Sequence, residues 1–297
     1  MIETREVEPS EYGEVAAMMR ELGLGCSREY LERRLPHGVV ALKDGELVGF
    51  CGYIPVKIWV GDEERGAMQL GMLGMRPGNG TAIKKLIDSV LSRAGNGFIY
   101  ANSTNAAGHR AWMKIGGFAE GPEFCARIQW TFSSPIGILA RPRLKPIDPK
   151  SVAWRDFAAR LKASNRGVMT ARDPERWREL FGEALTIEHD GAIVGMAAIK
   201  RTMYRGILPR CEIMDIVAVG NDREVISKLV AKARRYAASV GSPILEFVGP
   251  PLLPHSRAAV ANLFVYKENG TGIKTEDLAR GWFFGPLDGD RVLEIEN

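Results

Sequence analysis

Cysteine is scarce and never clustered in this 297-residue sequence: Cys26, Cys51, Cys125 and Cys211 stand apart, with no CxxC spacing. Disulfide frameworks and structural zinc sites both need clustered ligands, so neither is expected, and the thiols read as reduced and mostly buried. No apolar run reaches the ~18 residues of a spanning helix. The opening stretch MIETREVEPSEY is acidic and polar, without the apolar centre of a secretory leader. A cytoplasmic protein with no membrane partner is the expectation. Excess charge is also scarce. Forty Lys and Arg face 36 Asp and Glu, a net +4, well short of what many phosphate contacts would require. Nucleic acid is therefore not an expected partner. The largest basic cluster, Lys228, Lys232, Arg234 and Arg235, reads as the solvated face of a helix.

What is present is ordinary globular composition, 45% hydrophobic and 26% charged, which argues against disorder. The length exceeds what one hydrophobic core usually spans and predicts two domains.

An internal repeat supports that division. LKDGELVGF, from Leu42, and EHDGAIVGM, from Glu188, each place Asp-Gly between apolar runs, a strong hairpin signal because glycine tolerates positive φ. Asp44 and Asp190 lie 146 positions apart, as do Gly49 and Gly195, and Phe98 and Ile244. A shared offset over such a stretch predicts two copies of one unit. Each copy reads as helices, a hairpin, a third strand, a helix and a further strand. In the first copy the third strand is near Met68–Met75 and the helix is Thr81–Ala94, with Ile83, Leu86, Ile87, Val90, Leu91 and Ala94 on one helical stripe. Gly97–Asn102 reads as a buried strand, and strand–helix–strand predicts a right-handed parallel crossover. The second copy matches with a helix over Val225–Ala238 and a strand over Ile244–Val248. Between the copies, Ser133–Lys150 carries Pro135, Pro142, Pro146 and Pro149 and reads as a linker. The predicted division is 1–135, a linker over 136–150, and 151–297.

The turn MRPGNGT, Met75 to Thr81, leads from a strand into a helix. A helix start presents unpaired N–H groups and a positive dipole end, and glycines let an anion approach the backbone. Neither G-x-x-x-x-G-K-[ST] nor a full G-x-G-x-x-G is present. The second copy has one glycine where the first has Gly78-Asn79-Gly80, and its Asn221 and Asp222 read as a helix cap.

In this setting the turn resembles the Q/R-x-x-G-x-G/A signature of the GNAT superfamily of acyl-CoA N-acyltransferases: Gly80-Thr81-Ala82 matches the G-x-G/A end, and Pro77 stands at the Gln/Arg position. Asn102–Phe118, NSTNAAGHRAWMKIGGF, resembles the family's later motif, with Trp112 at the position of its tyrosine. Trp282–Asp290, WFFGPLDGD, resembles the ending of bacterial tandem members. The resemblance implies an α+β fold of two tandem GNAT-like domains, each a mixed, mostly antiparallel sheet flanked by helices. It implies acetyl-CoA as acyl donor and a small-molecule primary amine, an amino sugar among the possibilities, as acceptor. Donor contacts would come from Met72, Leu73, Gly74, Met75, Gly78, Asn79, Gly80, Thr81, Ala82, Asn105 and Trp112, in the N-terminal copy. Backbone N–H groups of Gly71–Met75 would polarise the thioester carbonyl. Tryptophan cannot supply the proton that the family's tyrosine often gives the leaving thiolate.

Gly71 and Gly74 suit a bulge or a close approach. The family often places a base on this strand; here that position is Gln69, which can orient a water or amine but cannot take a proton. At the 146 offset its repeat partner is Asp215, a carboxyl among apolar neighbours and hence a candidate base. Glu212, Glu246 and His109 are weaker candidates, and Lys84 and Lys85 could meet a phosphate. A non-catalytic protein of this fold, binding acyl-CoA or a protein partner, is the alternative. No metal is implied.

Overall fold

A computed structural model describes residues 1–95, 97–103, 106–121, 124–131, 142–204, 207–249 and 257–274, with 276 and 278 besides; for a few of these, among them 124–130 and 257–264, it describes the backbone alone. Asn105, His255 and Trp282–Asp290 lie outside the described residues.

The first half runs β1 (Ile2–Glu6), α1 (Tyr12–Glu21), α2 (Arg28–Arg34), β2 (His37–Lys43), β3 (Glu46–Val60), β4 (Glu63–Met75), α3 (Gly80–Ala94), β5 (Phe98–Ser103), α4 (Ala106–Ala111), β6 (Ala119–Glu120) and β7 (Phe124–Trp130). The second half runs β8 (Lys145–Pro146), α5 (Val152–Ser164), β9 (Val168–Thr170), α6 (Pro174–Phe181), β10 (Glu183–His189), β11 (Ala192–Tyr204), β12 (Leu208–Ala218), α7 (Arg223–Ser239), β13 (Ile244–Gly249) and β14 (Arg257–Glu268). The proline-rich segment does more than connect, because Lys145 and Pro146 form β8 and pair with β10. A proline is tolerated there since the strand lies at the sheet edge.

Both Asp-Gly hairpins form as the sequence predicts. Asp44 and Gly45 have φ of 53° and 86°, and Asp190 and Gly191 have 51° and 77°. Two consecutive left-handed residues are what a two-residue type I′ turn requires. Lys43 therefore pairs with Glu46, and His189 with Ala192.

The strands join one mixed sheet in the order β1-β2-β3-β4-β5-β14-β7-β13-β12-β11-β10-β8. Within each half the neighbours are antiparallel except for the crossover pair, β4 with β5 and β12 with β13. The halves meet by exchange. β14 of the second half pairs with β5 of the first, β7 of the first pairs with β13 of the second, and β7 and β14 pair with each other at the seam. β9 adds a further tie, pairing with the far end of β3.

Helix α3 lays Ala82, Leu86, Ile87 and Val90 on one face of the first half's strands, and α1 and α2 cover the other through Val15, Met19, Leu31 and Leu35. In the second half α7 buries Ile226, Leu229, Val230 and Ala233, while α5 and α6 bring Trp154, Phe157 and Trp177 to the opposite face. Two-sided cover explains why these strands read as apolar runs.

Candidate functional site

The parallel ladder of β4 and β5 is short. It runs from Ala67 opposite Phe98 to Leu70 opposite Ala101 and then stops, although β4 continues to Met75 in contact with β3. A bulge lies at the point of divergence: Tyr53 pairs with Leu70 and Cys51 with Leu73, so Gly71 and Met72 together oppose Gly52. The extra residue bends β4. β5 stays paired with β14 along its whole length, from Phe98 opposite Glu268 to Ser103 opposite Leu263. Two parallel strands thus part into a V whose β4 arm is Gly71–Met75.

The register decides which amides face the gap. Arg76 N–H donates to Val48 O at 2.8 Å. Antiparallel alternation then directs the Gly74 amide to β3 and the Leu73 and Met75 amides to the open edge. Gly74 is glycine for packing on the other side: a Cβ there would lie 2.5 Å from Met19 Sδ. Met72 is buried among α1 and α2, and Leu73 packs towards α3. The arm is therefore held on both faces, and among the described residues no strand pairs with its other edge.

Beyond the arm, the chain turns through Gly78, at φ +82°, into α3. Among the described residues no side chain caps this helix. The N-cap Asn79 turns its amide back, donating to the carbonyls of Arg76 and Pro77 at 3.3 Å each. Gly80 has open space where a Cβ would stand, Thr81 is exposed and Ala82 is buried. An uncapped helix start beside open space suits an anion. The counterpart in the second half is closed: Asp222 accepts from the N–H groups of Glu224 and Val225 at 2.8 and 3.2 Å. Its carboxylate already satisfies the helix end, as the sequence predicts.

The other predicted residues divide. Gln69 is 6% exposed, one residue below the fork, and its Oε1 accepts from Tyr100 OH at 3.3 Å. Trp112 is 3% exposed and packs on Phe118 at 5.3 Å between ring centres, within the core beneath α3. Lys84 pairs with Asp88, and Lys85 donates to Ile2 O at 3.2 Å, so both lysines are engaged along the helix. His109 Nε2 lies 3.4 Å from Glu120.

The repeat partnership of Gln69 with Asp215 needs correction. Met75 opposes Gly49, and Ala218 opposes Gly195. Along β4 and β12 the halves are thus 143 apart rather than 146, because the strands of the β11–β12 hairpin are shorter than those of β3–β4. By ladder position Gln69, opposite Tyr100, corresponds to Glu212, opposite Glu246. Nor are Gln69 and Asp215 brought together: β4 and β12 are five strand spacings apart in the sheet, on the order of 24 Å. Asp215 is wholly buried and accepts from Arg172 Nε at 3.1 and 3.2 Å and from Trp177 Nε1 at 3.0 Å. A carboxylate so neutralised is a structural ion, not a poised base. Glu212 and Glu246 both pair with Arg210.

Two residues of the site go unnoticed in the sequence. Tyr100 emerges only from the parallel register. Arg76 has a local signal, a cation directly before the Pro-Gly turn, and contacts Glu46 and Glu21.

No family model matches the chain, and no curated protein matches it. Solved structures do. A GCN5-related N-acetyltransferase from Anabaena variabilis superposes with a TM-score of 0.64 at 12% identity, over 91% of this chain and 73% of that one. One from Kribbella flavida gives 0.57 at 11%, over 90% and 72%. Saccharomyces cerevisiae N-myristoyltransferase, solved with bound myristoyl-CoA, gives 0.56 at 10%, over 90% and 80%. The forked sheet, the open β4 edge and these superpositions together establish that the chain has the GCN5-related N-acetyltransferase fold.

Proposed function

We propose that this protein is an acyl-CoA-dependent N-acyltransferase that moves an acetyl or short acyl group to a primary amine of a small molecule or amino sugar. The observation that carries the reading is the fork: two backbone amides of the β4 arm face away from β3, beside a helix start that no side chain caps among the described residues. The pantetheine arm of a donor would run along that edge, and its pyrophosphate would meet the N–H groups of Gly80 and Thr81. The Leu73 and Met75 amides would polarise the thioester carbonyl as it gains negative charge. In the reaction the neutral amine nitrogen attacks that carbon, the C–S bond breaks, and the amine gives up a proton while the thiolate takes one. Gln69, held by Tyr100, orients the amine or a water below the fork but accepts no proton. The proton therefore leaves through solvent or water.

We further propose that the chain is two GNAT-like units, as the sequence division suggests, joined by exchange of their last strands. The donor site belongs to the first. The Asp222 cap, whose carboxylate already fills the corresponding helix start, speaks against a second donor site. Cytoplasmic location is part of the same reading; no helix among the described residues is long and apolar enough to cross a membrane.

Calorimetric titration with acetyl-CoA, CoA and ATP tests the donor site. Micromolar binding of the CoA species with much weaker ATP is expected. Absence of binding at millimolar concentration rejects it. Release of free CoA thiol with a panel of amines then tests turnover. The neutral Gln69 at the usual base position favours one second reading, an acyl-CoA binder without transferase activity. Tight binding with no turnover of any amine would select it.

A further inference from the structure

We infer that a cavity at the seam between the two halves binds the carboxylate of a small organic acid, through the Arg176 guanidinium and the Trp59 indole N–H. The cavity holds about 580 Å³. Its walls come from the far end of β3, from Glu64 on β4, and from the segment that leads out of β9 into α6. Ala171 N–H donates to Lys57 O at 2.8 Å and ties the two walls together. Gln69 pairs with Ile54. Lys57 and Trp59 stand an odd number of residues further along β3, so they lie on the other face of the sheet. The cavity is therefore separate from the fork, and the inference does not depend on the donor site.

Most charges around it already have partners. Lys57 pairs with Glu64 at 2.7 Å. Asp173 accepts from the Arg176 backbone N–H at 2.8 Å and so caps α6. Arg172 is bonded to Asp215. The half-buried Arg176 guanidinium, by contrast, has no partner among the described residues. Trp59 carries the other unmatched donor. It is 4% exposed, and its Nε1 completes no hydrogen bond among the described residues. The indole leans towards Glu64, whose carboxyl is held below the usual carboxylate range by Lys57 above all and also by Trp59. Glu64 lines the cavity, so the N–H lies on the cavity side. Buried donors without acceptors are costly and few. One unspent cation and one unspent N–H call for one anion with acceptor oxygens. A carboxylate serves both, because its plane matches the guanidinium fork and a lone pair remains for the indole. Pro55, Val56 and Ala171 add apolar wall for a short hydrocarbon body. Trp59 belongs to the first half and Arg176 to the second, so such a ligand bridges the halves.

The test titrates the intact chain with isovalerate and phenylacetate, with their amides and inorganic phosphate as comparisons. The readouts are calorimetry and the indole N–H resonance of Trp59, identified by its loss in Trp59→Phe. At least one acid should bind, shift that resonance and raise the melting temperature, as any ligand of the native state alone does. Its amide should bind roughly tenfold more weakly, the scale of one lost bond to a charged group. Arg176→Ala should weaken the acid by the same factor, and Trp59→Phe should weaken it about threefold, the scale of one neutral hydrogen bond. Arg176→Ala should keep the melting temperature of the unaltered protein, because its guanidinium has no partner to lose, and it carries the test should Trp59→Phe fail to fold. Any one of four results overturns the inference: no shift of the Trp59 resonance by either acid at tens of millimolar, equal binding of acid and amide, tighter binding of phosphate than of either acid, or an acid affinity unchanged by Arg176→Ala.

Discussion

Arg172 and Asp215 form an ion pair with almost no contact with water, 2% and 0% exposed at 3.1 Å. The pair joins distant parts of the fold. Asp215 sits on β12, whereas Arg172 follows β9, the strand that pairs with β3 of the first half. Arg172 also donates to Thr170 O at 2.9 Å. Truncating one partner strands the other charge in the core. Asp215→Ala should therefore destabilise the protein by about 3–5 kcal/mol. A matched apolar replacement of both residues should cost much less. Denaturant unfolding measures both, and donor affinity should survive in whatever remains folded.

Gly80→Asp addresses the donor site. The position has room for a side chain, so the fold should keep its melting temperature. The new carboxylate would stand where the pyrophosphate is proposed to bind. CoA binding should be lost, by calorimetry. Affinity equal to that of the unaltered protein would reduce the glycine turn to a connection.

The Asp222 cap makes the opposite prediction. Asp222→Ala should cost about 1 kcal/mol, the usual worth of an N-cap, in urea unfolding. It should not create a second CoA site, because the turn before α7 has one glycine where the first half has Gly78 and Gly80. A binding stoichiometry of two would contradict this.

Gln69→Ala separates positioning from donor binding. CoA affinity should change little, while kcat with a reactive amine falls about tenfold or more, the low end for a lost positioning group. A loss confined to donor affinity would place Gln69 in the wrong role.

Cys26 supplies a pH-dependent prediction. Burial pushes its thiol up to about 11, with Arg20 partly opposing, from an ordinary value of 9.0. At pH 8 about one molecule in a thousand carries the thiolate, so Cys26 should resist alkylation in the native protein and react after unfolding, by mass spectrometry. The raised value also sets a sign. The contribution to stability is complete below about pH 9 and fades as pH rises towards 11, because the unfolded chain ionises first.

Much of the first half's architecture is legible in the sequence for local reasons. Asp44-Gly45 and Asp190-Gly191 announce hairpins because few residue pairs tolerate two left-handed conformations in succession. The stripe from Ile83 to Ala94 announces α3, and Asp222 announces a capped helix. Each signal depends on neighbours within a few positions. The same holds for the open helix start at Gly80, visible as glycines without a capping side chain. Asp215 shows the limit. Its apolar neighbours correctly indicate burial, but its partners Arg172 and Trp177 lie 43 and 38 positions away, and they turn a candidate base into a structural ion.

The sequence by itself determined the α+β character, the two Asp-Gly hairpins and the helix start that no side chain caps among the described residues. These follow from backbone preferences and the periodicity of apolar residues. Only the tertiary structure decided where β4 leaves β5, that Glu212 rather than Asp215 matches Gln69, and that β7 and β14 change places across the seam. Strand register and partner choice depend on hydrogen bonds between residues distant in the chain. A hairpin with shorter strands can slide one strand by three positions against its counterpart while the strands before and after it keep their places.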